Sequence, residues 1–299
     1  MKIVISGGSG FIGGVLTKAL LSRGHEVFVL SRNPDKVRTG RGVQWDGRSQ
    51  GVWSEVAASA DAVISLAGEN VGAGRWTENR KQLLISSRLN STNALVTAMK
   101  SAPSHRRTFV SASAVGYYGL RGDEELTEEA PRGSGFLADL VEKWENAGRA
   151  AESLSRLVLP RFGVALAGDG GALQKMMLPF HFGMGGPIGS GRQWLSWIDR
   201  EDAVRIVEWA IDNQSARGVY NATAPNPVRN RDFARTLGKV MRRPSFMPTP
   251  GFVLELVFGQ MADEVLLGGQ RVIPARLARE GFTFAYPNLE QSLRHALKR

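Results

Sequence analysis

The residues whose types and spacing could do chemistry come first near the N-terminus, in Gly7-Gly8-Ser9-Gly10-Phe11-Ile12-Gly13. The run follows an apolar, β-rich stretch at 2–6 and enters a stretch at 10–23 in which Phe11, Val15, Leu16, Ala19 and Leu20 fall on one helical face. Gly24 is a natural C-cap, and Glu26-Val27-Phe28-Val29-Leu30 reads as a second strand. Strand, helix and strand in so short a span make a βαβ unit, the context in which a glycine-rich loop holds a pyrophosphate. The first glycine permits the tight turn. Gly10 lets the backbone approach the phosphates without a Cβ in the way, and Gly13 lets the helix pack closely on the strand. The helix N-terminus, with Phe11 and Ile12 leading into it, then offers free N–H groups and a positive dipole end. Two registers fit, Gly8-x-Gly10-x-x-Gly13 and Gly7-x-x-Gly10-x-x-Gly13. Both predict a bound dinucleotide.

The end of the second strand selects which dinucleotide. An NAD site usually places an acid there to accept from the ribose hydroxyls. This chain has Ser31-Arg32-Asn33-Pro34. Arg32 can form a forked, charge-assisted pair with a 2′-phosphate, and Ser31 can donate to it. The following stretch carries Arg32, Lys36, Arg38, Arg41 and Arg48 against Asp35 and Asp46. The expectation is NADP(H).

Composition narrows the remaining chemistry. The 299 residues are 42% hydrophobic and 22% charged, which suits a folded chain with a full core. The absence of cysteine excludes a disulfide scaffold, a zinc-thiolate site, an iron–sulfur cluster and a cysteine nucleophile. His25, His105, His181 and His295 lack ligand spacing, so no metal is expected. The acids Asp123, Glu124, Glu125, Glu128 and Glu129 read as a solvated loop. The formal net charge is +10. That excess suits nucleic acid, a membrane surface or a small anion. The chain has no nucleic-acid reading motif or basic–aromatic stripe, and part of the excess lies beside the glycine loop. An anionic cofactor is therefore expected, without nucleic acid. No apolar run is long enough for a membrane span or a signal segment, so the expected setting is cytoplasmic, with no membrane partner.

The elements that must position these residues alternate strand and helix. Strands are expected at 62–66, 108–112 and 157–162, and helices at 77–100 and 136–155. This predicts an α/β fold, a Rossmann-type doubly wound parallel sheet. Beyond residue 165 glycine and proline cluster at 168–191, a helix at 200–212 and a strand at 218–222 return to the main sheet, and a mainly helical tail follows Pro244, Pro248 and Pro250. The expected organisation is an NADP-binding domain at 1–165 and a smaller, mainly helical substrate or cap region at 166–299.

Several further motifs carry a family resemblance: Leu66-Ala67-Gly68-Glu69-Asn70, Ser86-Ser87-Arg88, Ser113-Ala114-Val115-Gly116-Tyr117-Tyr118-Gly119, Gly185-Gly186-Pro187-Ile188-Gly189-Ser190-Gly191, Phe258-Gly259-Gln260-Met261 and Gly269-Gln270-Arg271-Val272-Ile273-Pro274. Together with the glycine loop they resemble the atypical extended short-chain dehydrogenases/reductases of the epimerase family protein group, which is nucleoside-diphosphate-sugar epimerase-like. The resemblance covers essentially the whole chain, including a C-terminal module at about 247–297. It implies NADP(H) across the strand ends, with Leu66, Ala67 and Gly68 beside the adenosine and ribose, Arg88 facing the cofactor and Ala165 near the nicotinamide. The implied activity is hydride transfer by an oxidoreductase or a nucleotide-sugar epimerase.

The family's catalytic pattern is incomplete in this chain. Well-characterised members use a serine and a tyrosine four residues before a lysine; the lysine tunes the phenol as a general acid or base. Ser113 stands where the serine is expected. The four tyrosines are Tyr117, Tyr118, Tyr220 and Tyr286, and the residues four further on are Arg121, Gly122, Ala224 and Glu290. Lys143, four residues after Asp139, reads as half of a surface pair. Two readings follow. Tyr117, or its neighbour Tyr118, takes over proton transfer beside Ser113, or the protein binds NADP(H) without the usual redox chemistry, as a noncatalytic binder or redox sensor. The substrate is a small molecule. The stretch 185–197, with Arg192, Gln193, Trp194 and Trp197, suits a sugar nucleotide, whereas 173–182, with Met176, Met177, Phe180 and Phe182, is either the wall of a cleft for a hydrophobic carbonyl compound or core. The oligomeric state stays open, a homodimer included.

Overall fold

The computed structural model describes residues 1–102 and 107–299, so His105 lies outside the described residues. Seven parallel strands form the main sheet: β1 (Lys2–Ser6), β2 (Glu26–Ser31), β3 (Arg41–Gln44), β4 (Ala62–Ser65), β5 (Arg107–Ser111), β6 (Ser155–Phe162) and β7 (Gly218–Ala222). Their order is β3-β2-β1-β4-β5-β6-β7. The direction of travel reverses between β1 and β4. A doubly wound sheet opens a ligand crevice at that switch point, outside the carboxyl ends of its strands.

Ten helices flank the sheet or follow it among the described residues: α1 (Gly13–Ser22), α2 (Val52–Ala58), α3 (Glu78–Lys100), α4 (Phe136–Arg149), α5 (Gly171–His181), α6 (Arg200–Asp212), α7 (Asn230–Met241), α8 (Gly251–Phe258), α9 (Ala275–Arg279) and α10 (Leu289–Ala296). Both faces of the sheet are covered, which is why its inner strands read as unbroken apolar runs. Alternate residues serve opposite cores. Ile3, Ile5, Val29 and Ile64 pack on Leu16 and Leu20 of α1 and Val207 and Ile211 of α6. Val4, Phe28, Val63 and Phe109 pack on Leu95 and Met99 of α3 and Trp53 of α2. A further core joins Leu173, Met177 and Phe180 of α5 to Trp197, Phe233 and Leu237 of α7, and Leu293 of α10.

The sequence reading missed β3 and α2. β3 is an edge strand with Arg41, Gly42 and Gln44, so it lacks the apolar alternation of its neighbours, and short, charged edges are ordinary in sheets. Gly42 makes it possible, since a Cβ there would lie 2.4 Å from the Pro34 carbonyl oxygen. Two boundaries also moved. α1 begins at Gly13, because Gly10 belongs to the turn, and α4 stops at Arg149. Among the described residues no helix is long and apolar enough to cross a membrane.

Candidate cofactor and active-site cleft

A cleft of about 1500 Å³ lies above the strand ends, walled on one side by the glycine loop and on the other by the C-terminal segment. The loop is built by contacts that exclude side chains. Gly7 has φ of 76°, and a Cβ there would sit 2.9 Å from the backbone of Leu66 and Ala67. A Cβ on Gly13 would stand 2.1 Å from the Gly7 carbonyl oxygen. That oxygen accepts the Gly10 N–H at 2.9 Å. The register that builds the turn is therefore Gly7-x-x-Gly10-x-x-Gly13. Gly7, Gly10, Phe11, Ile12 and Gly13 line the cleft, and Gly8 packs against Val29 instead. No side chain caps α1 and its first turn holds no acid, so its positive end faces the cleft unneutralised. Phe11 wedges against Gly170 and Gly171, with the Arg200 guanidinium 4.8 Å over its ring.

Ser31 and Arg32 line the cleft beyond the end of β2 with Asn33, Lys36 and Arg48. The Ser31 hydroxyl accepts the Asn33 N–H at 3.1 Å, which leaves its own hydrogen for a ligand. Arg41, by contrast, covers the Phe28 ring. Asp46 shares this end of the cleft, but its carboxylate accepts the N–H groups of Arg48 and Ser49, at 2.9 and 2.8 Å. Those bonds hold its pKa down to about 2.

Leu66, Ala67 and Gly68 form the facing wall. A Cβ on Gly68 would press 3.2 Å from the Arg88 side chain. Arg88 comes from α3 and makes no surface ion pair. It donates to the carbonyl oxygens of Glu69 and Leu84, at 2.9 and 3.0 Å, and lies 5.1 Å over the Trp144 ring. Burial lowers its guanidinium pKa to about 10, which still leaves it a cation at neutral pH. Ala165 lines the cleft from the short strand Val164–Ala167, in register with Ile198.

Ser113 lines the cleft at the two-residue strand Ser113–Ala114, which pairs with the end of β6. Its hydroxyl donates to Glu145 Oε1 at 2.6 Å. Glu145 projects from α4 and is clamped by Arg161 of β6, through Nε to Oε1 at 2.7 Å and Nη2 to Oε2 at 2.9 Å. Arg161 also donates to the Tyr118 hydroxyl at 2.9 Å, which donates to Asn221 Oδ1 at 2.6 Å. Every member of this chain is buried. Burial pushes the Tyr118 phenol up to about 12, against the pull of Arg161, so it stays neutral. Tyr117 is not on the cleft wall; the Arg161 guanidinium lies 3.4 Å from the centre of its ring.

Glu145 and Arg161 escaped the sequence reading, though both left a trace. Glu145 interrupts the apolar stripe of Val141, Trp144 and Gly148, and Arg161 interrupts the run Leu157-Val158-Leu159-Pro160. Opposite charges that break two apolar patterns need each other once buried. The expected Lys143–Asp139 pair does not form, because Asp139 is taken by Arg132, which also reaches Glu142.

On the substrate side Trp194 lines the cleft, while Trp197 belongs to the core and donates to the Asn226 carbonyl oxygen. The Arg229 and Arg271 guanidinium groups lie 4.1 and 4.9 Å from the centre of the Trp194 ring. Its indole N–H donates to Asp123 at 2.8 Å. The acidic stretch is exposed at Asp123, Glu124, Glu125 and Glu129, and several of its carboxylates also hold neighbouring segments. Asp123 holds Trp194 and Arg229, Glu125 pairs with Arg271, and Glu128 accepts the N–H groups of Asn221 and Arg276. α5 serves both purposes weighed for it: Leu173, Met177 and Phe180 are core, and Met176, Pro179 and Phe180 also wall the cleft. Glu264 closes the cleft from the C-terminal segment, accepting the N–H groups of Phe136 and Leu137 at the start of α4. Gln193 donates to the carbonyl oxygens of Ile188 and Leu266 and so ties the glycine-rich stretch to that segment. Among the described residues no cluster of three His, Asp or Glu side chains has metal-site geometry.

Comparison with known proteins places this architecture. Residues 3–138 match the NAD dependent epimerase/dehydratase family, and residues 249–296 match a domain of unknown function, DUF1731. Epimerase family protein SDR39U1 of Homo sapiens is 39% identical over 301 residues, covering 98% of this chain and 99% of its own. Epimerase family protein YfhF of Bacillus subtilis (strain 168) is 39% identical over 297 residues, covering 98% and 97%. The crystal structure of human SDR39U1 (isoform 2) with NADPH superimposes with a TM-score of 0.90 at 38% identity, over 100% of both chains. The chain belongs to the epimerase family proteins, with the fold of an extended short-chain dehydrogenase/reductase and the DUF1731 domain at its C-terminal end.

Proposed function

We propose that this protein binds NADP(H) and is an oxidoreductase or epimerase that works by hydride transfer. One observation carries the cofactor: Ser31, Arg32, Lys36 and Arg48 meet at the end of a cleft whose other landmark is an uncapped helix N-terminus behind a side-chain-free turn. The pyrophosphate fits the cradle of Gly7, Gly10, Phe11, Ile12 and Gly13, and a 2′-phosphate fits the cations. Leu66, Ala67 and Gly68 flank the adenosine ribose, Arg88 faces the middle of the cofactor and Ala165 borders the nicotinamide. The human relative of known structure was crystallised with NADPH, which supports the same choice here. Held there, NADP(H) would supply the hydride donor or acceptor, so that hydride, proton and carbonyl would be exchanged for an alcohol.

The chain's own part is to hold and move that proton. Ser113 gives its hydrogen to Glu145, so its lone pairs are left for a substrate hydroxyl. The alcohol donates to Ser113 Oγ, and Ser113 passes its hydrogen to Glu145. Arg161 balances the carboxylate at rest, and the same path returns the proton in the reverse direction, so the buried cation faces a neutral Glu145 only transiently. Tyr117 contributes by packing on Arg161. The neutral Tyr118 takes no proton and fixes Arg161 to Asn221. This arrangement stands in for the missing tyrosine and lysine, and it favours the catalytic reading over the noncatalytic one.

The test is a titration of NADPH against NADH, followed by intrinsic fluorescence, with Arg32→Ala alongside. A preference for NADPH that Arg32→Ala removes is expected. An unchanged preference overturns the placement of the 2′-phosphate. Flat absorbance at the nicotinamide band across ketones, aldehydes and sugar nucleotides overturns the hydride-transfer reading.

A further inference from the structure

The two halves of the cleft differ in charge. The adenosine half gathers Arg32, Lys36, Arg48 and Arg88 against Asp46, held by two backbone N–H groups, and Glu69, paired with Arg80. From Leu137 onward along the chain, Lys175 and Glu264 are the charged residues among those lining the cleft. Lys175 is exposed and donates to the Gly72 carbonyl oxygen at 2.9 Å. The Glu264 carboxylate is occupied by two backbone N–H groups and by Gln260. Met176, Trp194, Phe233, Leu254 and Phe258 make this wall largely apolar.

Two arginines of this region, Arg229 and Arg271, point their charge elsewhere, and the exposed Arg192 is not among the residues that line the cleft. Arg229 is spent on Asp123 and the Arg192 carbonyl oxygen, and Arg271 on Glu125. A nucleoside diphosphate placed here would carry its negative charges into an apolar wall without forked cationic partners, and unpaired buried charge is strongly unfavourable. An uncharged ligand incurs no such penalty. α8 extends the same character outward. Leu254 and Phe258 line the cleft, while Phe252 and Leu256 of the same helix are 70% and 75% exposed. Leu254 and Phe258, four residues apart, form an apolar strip on the cleft face of α8, whereas Phe252 and Leu256 lie about half a turn away on its outer face.

We infer that the substrate is an uncharged, apolar carbonyl compound, or its alcohol, whose hydrocarbon tail lies along α8, and that a nucleoside-diphosphate sugar is not accommodated. The inference rests on reading the cleft as one that holds cofactor and substrate together.

The experiment uses the full chain with and without NADPH, and 2-decanone, 2-butanone and UDP-glucose as probes. Binding is read from tryptophan emission, to which Trp144 and Trp194 on the cleft wall contribute. 2-Decanone is expected to bind at least about tenfold tighter than either UDP-glucose or 2-butanone, a difference of about 1.4 kcal/mol. Leu254→Ser, on the cleft face of α8, is expected to weaken 2-decanone about threefold or more and 2-butanone by less. Met176→Glu should weaken 2-decanone further, and by a larger factor than it weakens NADPH. UDP-glucose binding as tightly as 2-decanone, or equal binding of the two ketones, overturns the inference. Failure of NADPH to bind, with the ranking of the probes unchanged, overturns the cofactor reading and leaves the substrate class standing.

Discussion

The Ser113 hydroxyl stands 2.6 Å from Glu145 Oε1, so a cleft-facing hydroxyl is wired to a buried carboxylate in the helix where related enzymes carry a tyrosine and a lysine. This contact orients Ser113 as an acceptor toward the cleft. Ser113→Ala is expected to lower kcat by about a hundredfold or more, since a positioned proton acceptor contributes about 10²–10⁴ in rate. The NADPH dissociation constant should stay the same, which separates a role in proton transfer from one in binding. Equal kcat in the variant rules Ser113 out.

Glu145→Gln tests the other end of the contact. It leaves Arg161 a buried cation without its carboxylate. Breaking such a pair costs about 3–5 kcal/mol, so urea denaturation should show a loss of that order. Glu145→Gln with Arg161→Gln should recover part of the stability but none of the activity. Tyr117→Phe keeps the ring on Arg161 and is expected to keep most of the turnover.

Gly13→Ala should disable the cofactor end. Its Cβ would lie 2.1 Å from a backbone oxygen, which no rotamer change relieves. The turn must open, so NADPH affinity is expected to fall by more than an order of magnitude and the melting temperature to drop. Gly24→Ala is the control for added bulk, because open space surrounds that position; its φ of 77° still costs some backbone strain.

Arg32→Ala should weaken NADPH by about 1.5–3 kcal/mol, the worth of a hydrogen bond to a charged group, and leave NADH nearly unchanged. The comparison is made by calorimetry at two salt concentrations. The NADPH advantage should shrink as salt rises, because these cations are exposed.

Tyr118 makes a pH prediction. Burial raises its phenol from the usual value of about 10 to about 12, so the folded state favours the neutral form. A raised folded value means that this contribution is complete below pH 10 and is lost as the pH climbs through about 12. Absorbance of the tyrosinate band should show Tyr118 and Tyr220 titrating late, the latter also pushed up to about 12 by burial, with Tyr286 raised as well. Tyr118→Phe should remove one late phenol. An ordinary titration of all four tyrosines would contradict the buried network.

The sequence by itself determined the local and periodic features of this protein. Gly7, Gly10 and Gly13 specify a turn and a helix start, Ser31 and Arg32 follow the second strand directly, and the apolar runs mark the inner strands because both faces of the sheet are covered. Tertiary structure decided what depends on distant neighbours. It chose Gly7 over Gly8 as the turn residue, since the Leu66–Ala67 backbone crosses beneath Gly7. It paired Glu145 with Arg161, turned Tyr117 onto that guanidinium, and spent Arg229 and Arg271 on the acidic stretch. β3 also depended on a partner, because an edge strand of polar residues has no core face to imprint a pattern. Residue types announce which charges exist; only packing settles which of them remain free to meet a ligand.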